Sequence, residues 1–319
     1  MEQLNQSFNS YYTRLKTMAT EGKSGFFETS GFQSMDDIIM GYFYGEMVLV
    51  AGRPGMGVST FLMETAINVA RKNQSKVGYV KLGERSNIFQ SKLVGMLAGI
   101  NYEDMLRLKL RPEDFAKIDA NEELKTLPLY LNFPKTHHYE DIIPDIQQQI
   151  EEHGLKYVII DDIQSMNSKD RKSFRSRYDE LNEIVRELKN LAEKNNIILI
   201  ASSRLSRKVE ESTDKRPLLS HLRETGMLED SADKVLMLYR PSYYKITQDA
   251  DGNSTDSLIE IIVAKNNSGS TADVHMGFFI DNGNVRIKEL NVLWEENWQD
   301  QINKWINEDK PKNNDDIPF

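Results

Sequence analysis

The 319-residue sequence predicts an α/β protein built on a mostly parallel β-sheet with helices on both faces. Three observations carry this expectation. From Gly45 onward, short β-rich runs alternate with helical stretches, the pattern of crossover connections between parallel strands. Two runs, KYVIIDD and NIILIAS, are apolar nearly throughout, as strands buried on both faces must be. One strand, EMVLVAG, runs directly into a glycine-rich turn and then a helix.

The elements follow in order. Leu4, Phe8, Tyr11 or Tyr12, Leu15 and Met18 recur at steps of three and four, which predicts an amphipathic helix near the N-terminus. GKSGFF follows with two glycines and a serine, so residues 1–24 read as a docking arm on a flexible link. Its apolar face either packs on its own core or on a neighbouring subunit. The main domain, residues 25–290, then alternates EMVLVAG, a helix over about 58–72, KVGYVKL, a helix over about 87–98, LPLYLNF and a helix over about 139–153. KYVIIDD, a long helix near 178–195 and IILIAS complete the alternation. KVLMLYR, SLIEIIVAK and GFFIDNGNVRI read as strands of a terminal antiparallel addition. In residues 291–319, LWEENWQDQINKWINE predicts a short helix presenting Trp294, Trp298 and Trp305, and DKPKNNDDIPF reads as a disordered acidic tail.

Composition narrows the class. No cysteine is present, which excludes a disulfide framework and thiolate-bound zinc and fits a reducing compartment. MEQLNQSFNS carries no signal-peptide pattern, and no apolar run reaches the roughly 20 residues of a membrane helix, so a soluble cytoplasmic protein without a membrane partner is expected. The net charge of −9 argues against a surface that coats nucleic acid generally, while leaving room for a local basic loop.

AGRPGMGVSTF, residues 51–61, fits the phosphate-binding pattern G-x-x-x-x-G-K-[ST] in every fixed position except one. Gly52, Arg53, Pro54, Gly55, Met56, Gly57, Val58, Ser59 and Thr60 are therefore candidate nucleotide-binding residues. Backbone N–H groups of such a loop wrap phosphates, the lysine reaches the β- and γ-phosphates, and the Ser/Thr hydroxyl meets Mg²⁺. Val58 stands where the lysine belongs and brings no charge. The strand YVIID ends in Asp161, whose carboxylate would sit near the same ion, so Ser59 and Asp161 are the candidate metal residues.

At GFQSMDDIIMG, AGRPGMGVSTF, VIIDDIQSM, ASSRLSR, DKRPLLSHLRETGMLEDSADKVLMLYR and AKNNSGS, the chain resembles the C-terminal motor domain of the bacterial replicative hexameric helicase (DnaB) family, over residues 25–290. More distant RecA-fold recombinases share only the fold. The resemblance implies a RecA-like P-loop NTPase fold, ATP and Mg²⁺ as cofactors, single-stranded DNA as partner, and an oligomer formed with itself or with an active helicase. The family's N-terminal domain is then expected to be missing, and residues 1–24 resemble its linker helix. Lys265 matches the basic residue of a finger loop that reaches a neighbour's nucleotide. Four positions depart: Val58 at the phosphate lysine, Gly83 at the water-activating glutamate, Arg204 at the sensor glutamine and Asn267 at the arginine finger. Asp161, Glu84 and Arg204 remain as candidate catalytic residues, with Lys81 a further source of charge. An arginine finger alone is worth about 10³–10⁵ in rate, so little hydrolysis is expected unless Lys81, Glu84 or Arg204 has taken over the missing roles.

NSKDRKSFRSRYDEL, after the Asp161 strand, carries Lys169, Arg171, Lys172, Arg175 and Arg177 with Phe174 and Tyr178 among them. Basic groups interleaved with aromatics suit a single-stranded nucleic-acid backbone and its bases, and the alternative is a solvated charged loop leading into a helix. Asp315, Asp316, Ile317, Pro318 and Phe319 resemble the acidic C-terminal tip of bacterial single-stranded-DNA-binding (SSB) proteins, which implies docking on proteins that recognise such tips. Three functions fit: a DNA-stimulated ATPase and helicase with a rearranged site, a non-hydrolysing DNA-binding or ring-forming member, and a recruitment module working through DDIPF.

Overall fold

The computed structural model describes residues 3–20, 27–222, 226–249 and 251–290. The predicted tryptophan helix, the DDIPF tip and the glycine link at 21–26 lie outside the described residues. Helix α1 (Leu4–Thr20) forms where the apolar spacing places it. Its Leu4, Phe8, Tyr11, Tyr12 and Leu15 are all exposed, so the described part of the chain does not cover that stripe.

A two-stranded ribbon of β1 (Phe27–Glu28) and β2 (Tyr42–Phe43) brackets α2 (Gln33–Ile39). The main sheet follows with β3 (Met47–Gly52), β4 (Val77–Lys81), β5 (Leu129–Asn132), β6 (Tyr157–Asp161), β7 (Ile198–Arg204), β8 (Lys234–Tyr239), β9 (Leu258–Asn266), β10 (Asp273–Asp281) and β11 (Asn284–Glu289). Its spatial order is β11-β10-β9-β8-β3-β7-β6-β4-β5. The six strands from β8 to β5 run parallel, and β9, β10 and β11 extend that sheet in antiparallel fashion. The crossovers carry α3 (Val58–Asn73), α4 (Ser86–Ala98), α5 (Tyr102–Leu106), α6 (Pro112–Ala120), α7 (Glu123–Thr126), α8 (Tyr139–His153), α9 (Arg177–Asn195) and α10 (Gly226–Ser231).

The continuous apolar runs are explained by this layering. Val48 and Val50 of β3 join a core with Phe61, Leu62 and Ala66 of α3, while Met47, Leu49 and Ala51 face Leu181, Ile184 and Leu188 of α9 and Ile142 and Ile146 of α8. Side chains alternate across a strand, so a central strand needs apolar residues at every position. Burying each large aliphatic side chain contributes about 1.5–3 kcal/mol. Helix α9 is delimited by sequence chemistry: the Ser176 hydroxyl accepts from the Asp179 N–H at its start, and Asn196 closes it in a left-handed conformation at φ 51°.

Two stretches differ from the sequence-based expectation. GFFIDNGNVRI is a hairpin, with Asn282 at φ 47° and Gly283 at φ 74° making the two-residue turn between β10 and β11. Both central residues of that turn type need positive φ, which Asn-Gly supplies. Residues 100–127 hold α5, α6 and α7, helices too short to produce a readable period. Among the described residues, no helix is long and apolar enough to cross a membrane.

Candidate functional site

The carboxyl ends of β3, β7, β6 and β4 converge on one cleft of about 770 Å³. In open parallel sheets this is where ligands are held. The glycine loop after β3 forms its floor, with Gly55 at φ 83° and Gly57 at φ 92° immediately before α3. A Cβ would sit 2.8 Å from Tyr243 at Gly55, 2.9 Å from Phe278 at Gly57 and 2.6 Å from Val58 Cγ2 at Gly52. The loop is thus packed so closely that only glycines fit, and the N-terminus of the 16-residue α3 opens into the cleft. Such a terminus with free N–H groups is suited to phosphate.

Lysine is missing from the loop but not from the cleft. The Val58 side chain folds against Gly52, while Lys81, the last residue of β4, enters from the adjoining strand end. Its Nζ lies 2.6 Å from Asp161 Oδ2 and 3.4 Å from Ser59 Oγ. The register of β4 on β6 sets Lys81 directly beside Asp161. Ser202 Oγ donates to Asp161 Oδ1 at 2.6 Å, and the Tyr79 hydroxyl donates to Oδ2 at 3.2 Å. Burial pushes the Asp161 carboxyl up, but the Lys81 charge and hydrogen bonds from Lys81, Ser202 and Ser59 outweigh it and hold the group below its ordinary value. Burial, reinforced by the Asp161 charge, pushes the Tyr79 phenol well above its ordinary value, so it stays a donor.

Gly83, Glu84 and Arg204 line the cleft beside this pair. Gly83 has φ 73°, and a Cβ there would meet Ser165 Oγ at 3.2 Å. Because β4 ends at Lys81, the chain turns before Glu84, and this carboxylate does line the cleft. It is held by Lys92 Nζ at 2.5 Å and stands 3.8 Å from Lys81 Nζ. Arg204 also lines the cleft, where its guanidinium is fixed on Asp162 at 2.6 and 2.8 Å. Arg53 is turned to Glu210 and the Leu205 carbonyl. Met56, by contrast with its loop neighbours, is not part of the cleft lining, and its side chain is buried in the core.

Lys265 does not line its own chain's cleft. Its Nζ donates to the Glu229 carbonyl at 2.7 Å and the Asp230 carbonyl at 3.3 Å, on α10. Asn267, two residues on, is exposed.

Sequence reasoning missed one wall of the site. Phe278 and Ile280 of β10 and Val285 of β11 form an apolar side, with Arg240 between it and the glycine loop. Arg240 donates to the Gly55 carbonyl at 2.9 Å, and its guanidinium carbon lies 3.5 Å from the centre of the Phe278 ring. The Asn-Gly pair at 282–283 was the available signal, because a hairpin there brings Phe278 and Val285 to one end of the sheet. Lys92, which holds Glu84, sits on α4 with no local signal of its own.

The basic loop after β6 is anchored at one end and open at the other. Buried Glu180, in the first turn of α9, accepts the Ser168 N–H at 2.6 Å, Arg177 Nη1 at 2.6 Å and Arg171 Nε at 3.4 Å. Arg177 also donates to the Gln164 and Met166 carbonyls, so this half-buried guanidinium holds the loop together. This separates it from the exposed Lys169, Arg171, Lys172 and Arg175. Lys169 pairs with Asp141, and Lys172 and Arg175 have no ion pair among the described residues. Tyr178 is exposed and Phe174 half-buried.

Burial pushes the Glu180 carboxyl up, while the Ser168 N–H, Arg177 and Arg171 pull it further down, below its ordinary 4.5. A depressed carboxyl stabilises the loop fully above its unfolded value and loses that contribution as pH falls through the folded one. The amide protection factor of Ser168 should therefore fall as pH drops below 4.5 and drop about tenfold at neutral pH in Glu180→Gln. Unchanged protection in that variant would remove Glu180 as the anchor.

Comparison with known proteins agrees with this fold. The model of the DnaB-like helicase C terminal domain matches residues 28–285. The replicative DNA helicase DnaB of Geobacillus stearothermophilus is 33% identical over 250 residues, covering 78% of this chain and 54% of that protein. The replicative DNA helicase DnaB of Mycoplasma pneumoniae (strain ATCC 29342 / M129 / Subtype 1) is 32% identical over 269 residues, covering 82% and 57%. A solved DnaB-like replicative helicase, described together with its interactions with primase, superposes with a TM-score of 0.73 at 27% identity, over 90% of this chain and 67% of that one. The chain spans about half the length of the curated relatives it matches.

Proposed function

This chain belongs to the DnaB-like helicase C-terminal domain family, and from that premise we propose that it is a nucleotide-binding, single-stranded-DNA-engaging member of the replication machinery in which ATP hydrolysis has been lost or strongly reduced. The observation that carries the reading is the intact phosphate cradle beside a dismantled catalytic set. Gly55, Gly57 and the α3 N-terminus keep the loop, Lys81 supplies a cation close to Ser59, and Glu84 is neutralised by Lys92. Phe278, Ile280 and Val285 offer an apolar surface for the uncharged part of the ligand. Bound nucleotide then acts as a structural link between subunits, with α1 as a docking arm and Lys265 reaching a neighbour's cleft. The expected compartment is the cytoplasm.

Two binding measurements test this. A fluorescent ATP analogue should bind the purified chain at micromolar to millimolar concentration, and a labelled single-stranded oligonucleotide should bind with marked salt dependence. Replacing Arg171, Lys172 and Arg175 together by alanine should flatten the slope of log affinity against log salt by about 2, the loss of three phosphate contacts on a single strand. An unchanged slope would reject the loop as the DNA contact. A second reading is favoured by the sequence DDIPF: deletion of Asp315–Phe319 should abolish capture of an SSB-tip-binding protein while leaving oligonucleotide affinity intact.

A further inference from the structure

The family relation implies a divalent cation between the loop hydroxyl and the carboxylate at the end of β6, here Ser59 and Asp161. The residues present do not fit it. The Lys81 ammonium is within hydrogen-bond distance of both groups, at 3.4 Å from Ser59 Oγ and 2.6 Å from Asp161 Oδ2. Lys81 and Asp161 are both buried, and the other polar contacts of Asp161 are already made by Tyr79, Ser202 and Ser59. Mg²⁺ needs oxygen ligands at about 2.0–2.1 Å in near-octahedral array and resists losing its waters. It would have to share two ligands with a buried ammonium, against direct charge repulsion.

We propose that the Lys81 ammonium takes the place of the divalent cation, so that this cleft binds a nucleoside triphosphate as the metal-free polyanion. The inference rests on the reading of the cleft as a nucleotide site and specifies the ionic form of its ligand. An ammonium has three N–H groups, and Asp161 and Ser59 account for two, leaving one for a phosphate oxygen. The cleft's surroundings agree in charge. Arg53, Lys81, Lys92, Arg204 and Arg240 line it against Glu84, Asp161 and Asp162, an excess of positive charge in a chain that is acidic overall. The lysine absent from position 58 and the divalent cation that the family relation implies at Ser59 and Asp161 are thus replaced by one side chain rooted in β4.

The test is the affinity of the full chain for a fluorescent ATP analogue, measured in excess EDTA and in millimolar Mg²⁺. Affinities within about threefold of each other are expected, and Lys81→Met should weaken binding in EDTA by about tenfold or more. In the presence of the analogue, Mn²⁺ monitored by electron paramagnetic resonance should become immobilised in Lys81→Met beyond the level seen with the wild-type chain, because Ser59 and Asp161 are released. A loss of about tenfold or more on adding EDTA to the wild-type chain would overturn the inference while leaving the nucleotide site standing. Equal EDTA affinities of wild type and Lys81→Met would also overturn it. No binding under either condition would remove the nucleotide reading and the inference together. The wild-type comparison needs no variant, so it decides even if Lys81→Met fails to fold.

Discussion

At saturating ATP, with or without single-stranded DNA, this chain should turn over ATP on the order of 10³-fold or more slowly than its relative from Geobacillus stearothermophilus assayed alongside. Phosphoryl transfer is catalysed by positioned charge, and three kinds of charge are altered here. Val58 leaves the loop without its cation, and Lys81 supplies one that is already engaged by Asp161. Gly83 has no carboxylate to direct a water, and the carboxylate next to it is clamped by Lys92. Asn267 cannot deliver a guanidinium to a neighbour. Such groups act as a unit, so their losses do not multiply, yet any one is severe. Steady-state hydrolysis by wild type and Asp161→Asn should be the same within error, both reporting contamination. DNA-stimulated turnover within about tenfold of the relative, abolished in Asp161→Asn, would mean that Lys81, Glu84 or Arg204 has been put to catalytic use.

Replacing Asp161 by alanine should cost about 3–5 kcal/mol of folding stability, the penalty of leaving a buried charge without its partner. Lys81 is only 9% exposed, and the remaining anion near it, Glu84, is 3.8 Å away and shared with Lys92. Tyr79 and Ser202 lose their acceptor as well. In thermal melts this corresponds to a fall of roughly 6–20 °C. The double variant Lys81→Met/Asp161→Leu should be more stable than Asp161→Ala, since it removes the orphaned ammonium, and the difference measures the coupling. Equal urea midpoints for wild type and Asp161→Ala would show that the pair is solvated rather than buried.

The sheet and the cleft were legible because they depend on local signals. EMVLVAG, KYVIIDD and NIILIAS are apolar nearly throughout because both faces of β3, β6 and β7 are covered, and the glycine loop follows its strand at the spacing the motif requires. Glu84 is instructive. Counting residues places it one step from the family's glutamate and on the opposite side of an extended chain, but β4 stops at Lys81 and the turn at Gly83 brings it into the cleft. Its neutralisation by Lys92 arises from the packing of α4 and has no counterpart in the order of residues. Arg177 is similar: five cations in one loop look alike in sequence, and only the folded chain shows that this one also donates to the Gln164 and Met166 carbonyls besides pairing with Glu180. The wall of Phe278, Ile280 and Val285 was hidden because its residues come from the far edge of the sheet and are brought to the loop by the hairpin turn.

Gly83 limits what can stand at this corner of the cleft. A backbone at φ 73° is open to glycine and resists most other residues, and the space where a Cβ would lie is bounded by Ser165. A glutamate introduced there meets a strained backbone before its carboxylate can face the ligand. The turn after β4 thus acts as a filter on side chains, and the acid it admits to the cleft is Glu84, one position on and held by Lys92.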